Sequence, residues 1–132
     1  MTEDALAELE SVLLGDIDIA MGVFVSKSSS GFGNAVIQVR LYVDPTEVET
    51  DEVAVLAPAV DRAIEITWNT WPTRPTAIQL EVVVGAKPAD AGTEDLNIRD
   101  LADVAALLGL PEDSVHLVIR LSGSMLTSRY GE

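Results

Sequence analysis

The sequence predicts an α/β fold of the α+β-like two-layer sandwich type, a four-stranded mixed sheet with helices on one face and the other face open. Three observations carry this. Apolar periodicity gives the order α-β-β-α-β-α-β. Every strand alternates apolar with polar residues, whereas strands covered on both faces read as nearly continuous apolar runs. The length of 132 residues suits residues 1–132 as a single globular domain with one core.

Thr2 is placed to cap a first helix, 3–14, whose Leu6, Leu9 and Leu13 recur every three or four residues and which Gly15 would close in a left-handed conformation. From Ile17 the period becomes two: Ile17, Ile19, Met21, Val23 and Val25 take one face, Asp18, Ala20, Gly22 and Phe24 the other. After the Ser/Gly-rich turn 26–34, Ile37, Val39, Leu41 and Val43 alternate with Gln38, Arg40 and Tyr42, which makes a hairpin. Asp44 and Pro45 end that strand. Thr46 and Glu49 have capping-box spacing, with Thr50 or Asp51 as caps for a later start.

A long helix follows, its inner stripe Val53, Leu56, Ala57, Val60, Ala63, Ile64, Thr67 and Trp71. Pro58 is discordant there, because it has no amide hydrogen and clashes with the carbonyl four residues earlier. A kink near 54–58 is expected, in preference to a restart at Pro58. The proline-rich segment 71–75 stops the helix, and Ile78, Leu80, Val82 and Val84 form a third strand ending at Gly85. Past a polar loop, 87–97, Ile98, Leu101, Val104, Ala105 and Leu108 make a second amphipathic helix closed by Gly109 and Pro111. Val115, Leu117, Ile119 and Leu121 make the fourth strand, and the tail 123–132 is expected to be disordered. Strands joined through helices should be parallel, the hairpin antiparallel.

Composition narrows function by exclusion. Twenty-two carboxylates against 8 cations give a net charge of −14, which repels nucleic acid and anionic membrane surfaces. The chain has no cysteine, hence no disulfide, thiolate metal site or cysteine nucleophile. No apolar run is long enough to span a bilayer, and the first fifteen residues lack the pattern of an export signal. The acidic runs 44–52 and 90–100 lack the ligand spacing of a calcium loop, so no metal and no cofactor are expected. The turn 26–34 does not lead into a helix as a phosphate-binding loop would.

Three readings of function remain. The first is a non-catalytic binding or structural domain that meets a protein partner, or a second copy of itself, through the open sheet face. That face would carry Asp18, Phe24, Gln38, Arg40, Tyr42, Gln79, Glu81, Val83, His116, Val118 and Arg120. Phe24, Arg40, Tyr42, Glu81, His116 and Arg120 are its candidate contact residues, since aromatic and arginine groups favour interfaces. The second is a small-molecule site at the corner made by Trp68, Trp71 and Arg74. The third is a hydrolase-like enzyme using His116, the only histidine, with Glu81 or Ser122. No residue is assigned a catalytic role.

The strings RLYVDPT, WPTRPTAIQLEVV, LADVAALLGLP and SRYGE, within residues 37–132, together resemble uncharacterised surface-lipoprotein domains of actinobacteria. The resemblance implies an ectodomain at the cell surface, normally preceded by a leader and a lipid-bearing cysteine, and it brings no catalytic residues. Without it, a cytoplasmic location is the default.

Overall fold

The computed structural model describes residues 2–28, 35–71, 75–85, 98–110, 115–116 and 118–131. Most of the hairpin turn, the connector residues 72–74 with Arg74, and the whole polar loop 87–97 lie outside that set.

Helix α1 (Thr2–Asp16) runs further than the glycine signal implies. Gly15 lies inside it with an ordinary backbone, and the amide of Ile17 still donates to the Leu13 carbonyl at 3.0 Å. Burial of Leu9, Leu13 and Ile17 carries the helix through the glycine, whose intrinsic penalty is only about 1 kcal/mol. Strand β1 (Ala20–Ser28) therefore begins three residues later than the alternation suggested. It pairs antiparallel with β2 (Val36–Val43), with a register shift between Ala20 and Gly22. That bulge turns Met21 outward, to 48% exposure, where strict alternation placed it in the core. Beyond it the period resumes: Val23 lies opposite Leu41 and Val25 opposite Val39, all buried.

A 3-10 turn (Pro45–Glu47) separates β2 from helix α2 (Glu52–Thr70). Asp44 caps the turn and Asp51 caps α2, its carboxylate accepting from the Ala54 amide at 3.2 Å, so the Thr46–Glu49 capping box is not used. Pro58 is within α2, which does not restart there. The crossover through α2 brings β3 (Ala77–Val84) parallel to β2, aligned from Val36 with Ala77 to Val43 with Val84. Gly85, with φ of +132°, ends β3 in a conformation that L side chains rarely adopt.

Helix α3 (Ala102–Leu107) is shorter than predicted, because Ile98 is bridged to Val83 at the sheet margin. The expected fourth strand is divided. Residues Val115–His116 (β4) pair antiparallel with Val118–Ser122 (β5), and β5 pairs antiparallel with β3. β4 thus runs in the expected sense, parallel to β3, but β5 runs the other way and takes the place beside β3. The resulting order is β1-β2-β3-β5-β4.

Most of the tail is helical. Gly123–Tyr130 forms helix α4, capped by the Ser122 hydroxyl, which accepts from the Met125 amide at 3.4 Å. Helices and sheet share one core containing Leu9, Leu13, Val60, Ile64, Leu80, Val104, Ile119 and Leu126. No described helix is long and apolar enough to cross a membrane.

The edge strand β1 is managed by α1. The Val25 amide, facing away from β2, donates to the Glu10 carboxylate at 2.9 Å, so a side chain occupies a ladder position that another chain could otherwise take.

Candidate functional site

Register places the predicted sheet-face residues in adjoining cross-strand rows. Phe24 lies opposite Arg40, and Arg40 is aligned with Glu81. The antiparallel register of β3 with β5 runs from Ala77 with Ser122 to Leu80 with Ile119, and His116 on β4 pairs with Val118, the next residue of β5. Tyr42 occupies the next row, aligned with Val83, while Ser26, Gln38, Gln79 and Arg120 form the row on the other side. The side chain of His116 lies outside the described residues.

Arg40 organises the centre. Its Nε donates to Glu81 Oε1 at 2.8 Å, Nη1 donates to the Tyr42 hydroxyl at 3.1 Å, and its guanidinium lies 5.2 Å from the Phe24 ring centroid. The Arg40 and Glu81 side chains are only 11% and 13% exposed, and Tyr42 is 1% exposed. Burial opposes the charge on Arg40, but the bonds from Tyr42 and Glu81 outweigh it and hold the guanidinium above its ordinary pKa. The centre of the face is therefore a tightly satisfied cluster. The neighbouring row is looser: Ser26 donates to Gln38 Oε1 at 3.0 Å, and Arg120, which is exposed, reaches Gln79 Oε1 only at 3.5 Å.

Asp18 does not belong to this face. It lies in the turn before β1 and lines a cleft with Val55, Pro58 and Ala59 of α2, on the helical side. With Asp18 removed, the charged residues of the face whose side chains are described are Arg40, Arg120 and Glu81, a net of +1 on a chain of net −14.

The tryptophan corner is filled. Trp68 and Trp71 are 2% and 8% exposed within the core, and the Trp68 indole N–H donates to the Gly131 carbonyl at 2.8 Å. Both indoles act as packing, and Trp68 ties the end of α4 to α2. The third group assigned to that corner, Arg74, lies outside the described residues.

Glu81 and Ser122, the alternative partners that a hydrolase reading would set beside His116, are each engaged elsewhere. Ser122 is opposite Ala77, four register positions from Glu81, or roughly 13 Å along the strand. Its hydroxyl is engaged at the cap of α4 and lies 3.1 Å from Ser124, while Glu81 is held by Arg40. Among the described residues no three His, Cys, Asp or Glu side chains gather to hold a metal ion.

A second polar cluster escaped the sequence reading because it depends on α4. Tyr130 donates to Asp61 at 2.6 Å, and Arg129 donates to the same carboxylate at 3.0 Å and to the Leu108 carbonyl at 3.0 Å, joining α4 to α2 and to the end of α3. Burial, then the bond to Asp61, pushes the Tyr130 hydroxyl well above the ordinary tyrosine range. Beside it, Leu110, Leu121 and Met125 floor a cleft of about 380 Å³ rimmed by Ser124, Ser128 and Arg129. The legible signal for α4 was Ser122 as a cap followed by Met125, Leu126 and Tyr130 at helical spacing.

No family model matches the chain, and no match is found among the curated proteins or the solved structures.

Proposed function

We propose that this chain is a non-catalytic binding domain that meets a protein partner through the sheet face opposite its helices. The observation carrying this reading is the Phe24–Arg40–Glu81 row with Tyr42: aromatic and arginine groups locked by mutual bonds, on a face whose described side chains sum to +1 in a chain of −14. Groups already held in place lose little freedom on association. Half-buried Phe24, Gln38 and Gln79 and exposed Arg120 would make the contact above that base. The resemblance to surface-lipoprotein domains supports the cell surface as the setting, and a lipid-attachment cysteine encoded ahead of Met1 in the gene would add to that support.

A photo-crosslinking residue at position 79 tests the reading against the same residue at the exposed position 8 on α1. Capture of a defined protein from position 79 alone is the expected result. A second copy of the chain as that protein would keep the face and identify the partner as itself. Equal capture from both positions, or none from position 79, overturns the reading.

A further inference from the structure

Pro58 has no structural justification in the core. It sits inside α2 at a position that costs a helical hydrogen bond, yet it is exposed. Locally unfavourable residues without an evident structural return are where function is to be sought. Pro58 lines a cleft of about 270 Å³ between the end of α1 and α2, with Ile17, Ile19, Val55 and Ala59 as apolar walls. Because Pro58 has no N–H, the carbonyl of exposed Ala54 lacks its helical donor.

The polar rim is dominated by acceptors. Arg62, the one cation there, donates to Asp16 at 2.7 Å and to Glu65 at 2.9 Å, so its charge is already met twice. Asp18 is exposed and makes no hydrogen bond or ion pair with any described residue. Asp16 and Asp18 against Arg62 leave the lining at −1, and the one guanidinium is shared with Glu65 beside it, on a chain of −14. Leu14 and Met21, which bracket the lining segment 16–19, are 47% and 48% exposed.

We propose that this cleft docks a basic segment of another protein, which inserts an aliphatic side chain between Ile17, Ile19, Val55 and Ala59. A lysine or arginine of that segment pairs with Asp18, and the Pro58 ring packs against the inserted side chain. Charge complementarity selects the occupant: the field of the chain steers cations toward it and repels acidic or anionic ligands. The proposal is independent of the sheet face, because none of these residues lies on it.

The test is a ¹H–¹⁵N chemical-shift titration of the full chain with three acetylated pentapeptides: Lys-Leu-Lys-Leu-Lys, Lys-Gly-Lys-Gly-Lys and Glu-Leu-Glu-Leu-Glu. The leucine–lysine peptide should bind roughly tenfold more tightly than the glycine–lysine peptide, the difference set by burying one leucine. Its shifts should concentrate at Ile17, Ile19 and Ala59, and the acidic peptide should leave the spectrum unchanged. Asp18→Lys should weaken binding. Pro58→Ala should raise the melting temperature, because the Ala54 carbonyl regains a helical partner, and yet weaken binding several-fold, because the cleft loses a ring from its wall; a merely structural proline would not separate the two readouts. Equal affinity for the two lysine peptides, or Pro58→Ala binding as tightly as the parent, overturns the proposal.

Discussion

Replacing Glu81 by Ala should be among the most damaging single changes on the sheet, although an Arg–Glu pair on a surface is ordinarily worth only about 0–1 kcal/mol. The difference is burial. With the two side chains 11% and 13% exposed, Glu81→Ala leaves Arg40 Nε in a largely dry setting without its 2.8 Å acceptor. Removing one partner of a buried pair costs about 3–5 kcal/mol, and the residual exposure places this pair at the lower end, about 3 kcal/mol. Arg40→Met should cost a similar amount by stranding the carboxylate. The double variant Arg40→Met/Glu81→Leu removes both charges and should return to within about 1.5 kcal/mol of the parent, the remainder reflecting the hydrogen bond lost by buried Tyr42. Urea unfolding reads this directly. With a slope of about 2 kcal/mol per molar, each single variant should lower the midpoint by about 1.5 M. Single variants within 1 kcal/mol of the parent, or a double variant as poor as the sum of the singles, would refute the assignment of Arg40 and Glu81 as a buried, mutually dependent pair.

Other perturbations separate the remaining parts of the structure. Glu10→Ala removes the acceptor from the Val25 amide on the β1 edge; a loss of about 1–2 kcal/mol is expected, and light scattering should show concentration-dependent association of the bared strand. Trp68→Phe deletes the indole donor to Gly131 and part of a core ring, so about 2 kcal/mol of stability should be lost and amide exchange should accelerate in residues 123–130 first. Tyr130 has a folded-state pKa raised above the unfolded value of 10.0, so the folded state binds the extra proton. Its contribution is fully present below pH 10 and is lost as pH rises beyond it; alkaline melts of Tyr130→Phe should lack that part of the slope.

Much of the fold was legible because local pattern and tertiary environment agree. The alternation in β2 and β3 requires one buried and one polar face, and Ile37, Val39, Leu41, Ile78, Leu80 and Val82 lie on the buried one. The stripe of α2 follows from the same reasoning, and because the parallel register aligns Arg40 with Glu81, the predicted sheet-face residues became neighbours. Legibility failed where a single-residue signal was outweighed by packing at a distance. Gly15 remains helical because Ile17 is buried beyond it, and Met21 turns outward because the pairing of β1 with β2 needs a bulge.

The sequence by itself determined the layers, the helical face of the sheet, the hairpin and the excess of negative charge, all properties of periodicity and composition that survive any particular arrangement. Only the tertiary structure decided that β5 runs antiparallel to β3, that residues 123–130 are a helix pinned by Trp68, Asp61 and Leu108, and that Asp18 and Pro58 share a cleft. Those outcomes depend on contacts between residues distant along the chain, whose energies no local window contains. They decide which of the exposed groups face one another.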